Sequence, residues 1–278
     1  MSSSIHTAQQ VHAVSSWFIR LRSRNRLLYY FGWCNFIAAG VCLVLTYTDV
    51  DNVINNSNAW LKPLRFFLSI GILCWTLSWL LVYVQKQRAV KFLSIATIIT
   101  MVFEMLVIAG QAARGQLSHF NISTSFNAWL YVAMGVAITF FTLNVLYVAI
   151  LLFRQKTFPL WMSEGYKWGI RWGLLLFVVF AFEGGIMAAL LRHTIGMDDG
   201  TEGLPFFNWS LIAGDLRLHT FLACMPCRYY RWRAIFLRTN AGKYTCLPWA
   251  TCCWLRYCYG RPSKAIPFIN PSVKPSGA

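Results

Sequence analysis

Two glutamates stand inside long apolar runs: Glu104 within Phe92–Ala113 and Glu183 within Trp168–Leu191. Hydrocarbon offers a carboxylate no water, so an ionisable residue there faces a bundle interior or a water-filled cavity. Gln111 follows Glu104 by seven residues and therefore shares its helix face. The set reads as a polar site that serves as a proton relay, a ligand site or a metal site. The competing reading is structural, with each glutamate protonated or paired with Lys62 or Arg65.

A second set lies in the segments between apolar runs. His119 sits in Arg114–Asn121; His193, Asp198 and Asp199 follow Arg192; Asp215 and Arg217 close the series. Histidines and carboxylates on one side of a membrane are the donors a transition metal or haem would take. His119 and His193 are the candidate ligands, but no His-x-x-His or Cys-x-x-Cys pair with ligand spacing occurs before Arg217. Cys224-Met225-Pro226-Cys227 lacks the second Cys-x-x-Cys that a zinc ribbon needs. No cofactor is specified. Asn-x-Ser triplets at Asn55, Asn121 and Asn208 are short enough to arise by chance.

The elements that must position these residues are helices. The chain is 57% hydrophobic and only 12% charged, about half the charge of a soluble domain. Its apolar runs are continuous and long enough to cross a bilayer, where the backbone must satisfy its own hydrogen bonds. Five spans are predicted: 27–47, 66–84, 92–113, 129–153 and 168–191. The fold class is therefore an all-α integral membrane bundle, preceded by a basic leader over 1–26. The first run is too long for a signal-peptide core. Cys34, Cys42 and Cys74 lie inside apolar runs and suggest no disulfide framework.

Basic residues alternate between loops. Arg20, Arg22, Arg24 and Arg26 precede the first span, Lys86, Arg88 and Lys91 follow the second, and Arg154, Lys156 and Lys167 follow the fourth. The other loops hold Lys62 and Arg65, then Arg114, then Arg192. The positive-inside rule places the amino terminus in the cytoplasm and turns segments 48–65, 114–128 and 192–210 outward. In that topology Glu104 and Glu183 lie at comparable depths. Trp60 and Pro63 suit an interface and a first helical turn.

After Arg217 the composition changes. Residues 218–278 carry nine Lys/Arg, no Asp or Glu, six of the nine cysteines and six of the nine prolines. Such a basic tail would suit nucleic acid or anionic lipid, but a lost reading frame explains the acids, cysteines and lost periodicity together.

The combination of Trp60-Leu-Lys-Pro-Leu-Arg-Phe66, Arg114-Gly-Gln-Leu-Ser-His-Phe-Asn121, Gly203-Leu-Pro-Phe-Phe-Asn-Trp-Ser210 and Gly214-Asp-Leu-Arg217 resembles an uncharacterised family of bacterial multi-pass membrane proteins. The resemblance covers about residues 27–217 and brings no activity with it. It implies that Gly-Asp-Leu-Arg leads into a further helix reading roughly Ala-His-Phe-Leu-Gly-Met-His-Ala-Leu-Gln, within a bundle of about seven helices in a bacterial inner membrane. This chain continues Leu218-His-Thr-Phe-Leu-Ala-Cys-Met-Pro-Cys-Arg228 instead. Taking the third base of each codon with the first two of the next, Met225-Pro226 must give Ala and Tyr229-Tyr230 must give Leu. The whole of 218–228 can spell the family helix without conflict. One nucleotide missing just after Arg217, or two extra, accounts for the junction. The two histidines and the glutamine of that helix are then absent, and His219 replaces neither.

The expected protein is thus a multi-pass membrane bundle with a polar pocket opening outward, lined by Glu104, Gln111, His119, Glu183, Asp198, Asp215 and Arg217. It partners the lipid bilayer and a small molecule or ion rather than nucleic acid. Transport or proton relay, a redox or metal/haem-dependent enzyme, and a scaffold or sensor without chemistry all remain open. Sequencing the gene through the Arg217 codon is expected to reveal the altered nucleotide count. A verified frame, with Cys224 and Cys227 binding metal in a packed tail, would overturn the frameshift.

Overall fold

A computed structural model describes residues 16–54, 57–190, 194–195 and 214–216. The fold is an all-α bundle with very little sheet. A short helix, α1, covers 16–24. Five long helices follow: α2 (Arg26–Thr48), α3 (Leu61–Leu80, continued by a 3-10 turn Leu81–Tyr83), α4 (Gln87–Ala113), α5 (Ser125–Arg154) and α6 (Glu164–Leu190). All five are long and apolar enough to cross a membrane. Strands β1 (Val53–Ile54) and β2 (Ser57–Asn58) form a small hairpin between α2 and α3. After α6, β3 (Thr194–Ile195) pairs antiparallel with β4 (Gly214–Asp215).

Local chemistry sets the helix ends. Asn25 caps α2 by accepting from the Leu28 amide at 3.1 Å, while its amide group donates to Ser94 Oγ at 2.7 Å. One side chain thus starts α2 and ties it to α4. At the end of α4 the chain turns through Gly115, whose φ is +64°. The Gly115 amide donates to Ala112 O and the Gln116 amide to Gln111 O. That pair of bonds is the Schellman closure, which favours glycine at its left-handed position. Thr124 caps α5 through the Asn127 amide.

All five predicted spans are present, but α3 and α4 each begin five residues earlier than their apolar runs and α5 and α6 four. The added turns contain Lys62, Pro63, Arg65, Arg88, Lys91 and Lys167. Long cationic side chains lay their stems along apolar surface and keep their heads at the interface, so a helix outruns its hydrocarbon segment. The structure also adds α1, to which hydrophobic periodicity assigns no element. Leu21 is fully buried and its carbonyl accepts from Ser78 Oγ in α3.

Helices adjacent in sequence pack side by side, and α4 also reaches α2. The chain therefore has two ends. At one, Asn52 donates to Ala112 O and Tyr131 to Ala188 O. At the other, Gln85 donates to Thr157 O, and Arg171 donates to Leu152 O and Gln155 O. This second end gathers Arg20, Arg22, Arg24, Arg26, Lys86, Arg88, Lys91, Arg154, Lys156, Lys167 and Arg171. The first holds only Lys62, Arg65 and Arg114 of the described cations.

The α2–α3 pair interlocks through two glycines. Gly71 faces the Phe36 ring, and a Cβ there would lie 2.8 Å from its Cζ. Gly32 faces the Trp75 indole, against which a Cβ would collide. That indole is held by its bond to Tyr29 O at 3.2 Å and by the rings of Trp17, Phe18, Trp33 and Phe36, so it has little room to retreat. Gly32→Ala is expected to lower stability by about 1–3 kcal/mol, the usual overpacking cost. Gly135→Ala, in open space, should change little. Thermal unfolding of the detergent-solubilised variants is the check, and equal midpoints would contradict the interlock.

Candidate functional site

The site is built on α4. Val90, Ser94, Thr97, Met101, Glu104, Ile108 and Gln111 follow one another at alternating spacings of four and three, and all are buried. Such spacing keeps one stripe turned toward neighbouring helices. Within it Thr97, Glu104 and Gln111 recur every seventh residue, about 10.5 Å apart along the axis. The shared face expected for Glu104 and Gln111 is therefore a buried polar row.

Gln111 is fixed on both sides. Its Nε2 donates to Asn127 Oδ1 at 2.9 Å, and its Oε1 accepts from Arg114 Nη1 at 3.3 Å. Asn127 donates onward to Gln116 Oε1 and Ser123 Oγ, both at 3.4 Å. Glu104, two turns further from that end, is 7% exposed. Its Oε1 makes no hydrogen bond among the described residues. A buried polar oxygen without a partner is costly, and such atoms mark places where water, an ion, a proton or a ligand is expected.

Glu183 is buried on α6. Helices α4 and α6 run in the same direction, and Glu104 and Glu183 stand nine and seven residues from their respective ends. The two carboxylates therefore lie at comparable depth on the two helices that flank α5. His119 occupies the segment between α4 and α5, near the same end as Gln111. Its Nδ1 is 3.1 Å from Ser118 Oγ and its ring 5.9 Å from the Phe66 ring. The next residue, Phe120, has φ +61°, a left-handed conformation uncommon for a bulky side chain.

Asp215 lies in β4, with its backbone opposite Thr194. This pairing brings Thr194–Ile195 against Gly214–Asp215. Asp198, Asp199, His193, Arg217 and the whole of 218–278 lie outside the described residues. Among the described residues, no group of three His, Cys, Asp or Glu is placed to hold a metal ion.

Two contributors escape sequence reasoning. Asn127 falls in the segment expected to be an outward loop, yet it is 3% exposed in the first turn of α5. The signal was Thr124 three residues earlier, a helix cap that moves the start of α5 ahead of its apolar run. The β1–β2 hairpin is the other. Asp49 accepts from Trp60 Nε1 at 2.7 Å and Asn52 Nδ2 at 3.2 Å. Asn58 donates to Asp49 O at 2.8 Å and accepts from the Trp60 amide at 2.9 Å. Through Asn52 this knot is tied to the carbonyl end of α4.

No protein-family model, curated protein or solved structure matches the chain.

The bonds from Trp60 and then Asn52 hold the Asp49 carboxyl below its ordinary value. A depressed carboxylate pKa stabilises the folded hairpin above the unfolded value of about 3.9, and that contribution is lost as pH falls through the folded value. Hydrogen exchange over 49–60 should be slower in the native sequence than in Asp49→Asn near neutral pH. The two should converge well below pH 4. A gap that persists unchanged in acid would show that the charge is not what holds the hairpin.

Proposed function

We propose that this chain forms the body of a membrane transporter or proton relay in which Glu104 and Glu183 change protonation, with Gln111 between Glu104 and the outer face. The observation that carries this reading is the buried Thr97–Glu104–Gln111 row with an unbonded carboxylate oxygen at its centre. A row of this kind supplies sites for a proton or small ion along a helix axis, and intramembrane carboxylates are the usual carriers of such paths. The end rich in arginine and lysine faces the cytoplasm of a bacterial cell, and the β1–β2 end faces outward. Support comes from the charge imbalance between the two ends. The intact protein belongs to the bacterial membrane-protein family that its motifs resemble, and the segment after Arg217 is translated out of frame, so the working version is the frame-restored one.

The experiment uses frame-restored protein in proteoliposomes carrying an internal pH dye and an imposed pH gradient. Dye-reported proton flux is expected for the restored sequence and is expected to fall at least tenfold in Glu104→Gln, which keeps the shape and removes the titrating group. Equal flux in both would refute the role of Glu104. In intact cells expressing the restored sequence, His119→Cys, on a background without other cysteines, should react with a membrane-impermeant maleimide from the outer side. Reaction only from the cytoplasmic side would reverse the orientation.

A further inference from the structure

The eleven cations of the basic end are not equivalent. The Arg24 guanidinium lies 3.7 Å from the Trp79 ring centroid and donates to Trp79 O and Tyr83 Oη. Arg171 is spent on the carbonyls that end α5, and Lys167 pairs with Glu164 at 2.7 Å. Arg22 and Arg26 are among the cations not spent in this way. Both are exposed at the break between α1 and α2, and neither makes an ion pair among the described residues. Arg22 lies over Tyr30, 5.5 Å from its centroid. Arg26 stands one turn before Tyr30 on the same face of α2.

Below them the face continues in a fixed order. Tyr30, Trp33, Ile37, Val41 and Val44 recur at spacings of three and four, and all are exposed. Two guanidinium forks, then two amphipathic rings, then branched aliphatics reproduce the profile of a phospholipid read from phosphate to acyl chain. Arginine suits a phosphate's paired oxygens, and Tyr and Trp settle at headgroup level. About 16 Å separates Arg26 from Ile37 along the axis, close to the hydrocarbon depth of one leaflet. The rings have a rigid backing, because Trp33 packs against Phe18, Phe36 and Trp75.

We infer that the α1–α2 face is a binding lane for one anionic phospholipid of the basic-side leaflet, with Arg22 and Arg26 holding its phosphate and Tyr30 to Ile37 lining its chains. The lane differs from the general attraction of a basic rim. A control pair, Arg88 and Lys91, sits at the same end on α4 and has Phe92 in the position next below, a ring without a polar handle.

The test is native mass spectrometry of the full chain released from nanodiscs containing phosphatidylglycerol and phosphatidylcholine. The native sequence should retain phosphatidylglycerol over phosphatidylcholine. Arg22→Gln with Arg26→Gln should reduce that retention roughly tenfold or more, as loss of two lipid-facing cations implies. Arg88→Gln with Lys91→Gln, which removes the same charge from the same end, should leave it within about twofold. Equal loss in both pairs would overturn the lane in favour of general surface potential, as would undiminished retention in the first pair. If the first double variant does not fold, Arg22→Gln and Arg26→Gln alone should each give a partial loss, and no loss in either would overturn the lane equally.

Discussion

Hydrocarbon gives polar groups no partner, and that constraint decides where each helix goes. Helix α4 carries Ser94, Thr97, Thr100, Glu104 and Gln111, all buried, so it must be enclosed, and it packs against α2, α3 and α5. Most polar groups in the bundle need no neighbour. Ser94, Thr97 and Thr100 donate to the carbonyls of Val90, Leu93 and Ala96 one turn back. Thr142 and Asn144 on α5 and Asn35 on α2 do the same. Such back-bonding is the local solution open to short polar side chains. Glutamate and glutamine are too long for it. Gln111 therefore reaches Asn127 and Arg114, whereas Glu104 keeps an unbonded oxygen. Side-chain length thus separates polar residues that merely fit in a membrane helix from the glutamates, whose burial calls for another explanation.

The two halves of the bundle are built differently. On one side, α1, α2 and α3 are joined by Gly32 against Trp75, Gly71 against Phe36, the Arg24–Trp79 stack and the Ser78 bonds to Leu21 O and Asn25 O. Close approach at glycine with aromatic rings as wedges gives dense packing where lipid supplies no hydrophobic drive between helices. On the other side, α6 is the least covered of the five spans among the described residues. Glu104 belongs to the enclosed helix and Glu183 to the least enclosed one. The two carboxylates therefore sit at comparable depth but on helices of unequal enclosure among the described residues.

Much of this architecture was legible from composition. Continuous apolar runs mark all five spans, because a lipid-facing helix needs no amphipathic pattern to be recognised. The seven-residue spacing of Glu104 and Gln111 was readable for the same geometric reason, since two turns return to one face. Helix starts were less so: Lys62, Pro63, Arg65, Arg88 and Lys91 lower local hydropathy while remaining helical. Asn127 was hidden because its burial depends on Gln111, a residue in another helix, and no local pattern encodes that pairing. Helix α1 escaped because only part of its surface is apolar, with Leu21 buried while Arg20 and Arg22 stay exposed.

The position of Gln111 bears on access to Glu104. Both side chains share one stripe, and Gln111 stands between Glu104 and the nearer end of α4, so in the proposed relay a path from that end would pass it. Such passage would require release of the bonds to Asn127 and Arg114. Exchange of such bonds for bonds to water costs about 1–3 kcal/mol. At about 1.4 kcal/mol per factor of ten, a bundle held closed by these bonds alone would open in roughly one molecule in ten to one in a hundred. A neutral carboxamide suits that duty better than a charged group. It adds no second charge to the row, and its bonds would be weak enough to be remade during the proposed relay. The Asn52 bond to Ala112 O anchors the same helix end to the Asp49–Trp60 knot, so the backbone that carries Gln111 is held from outside the helix.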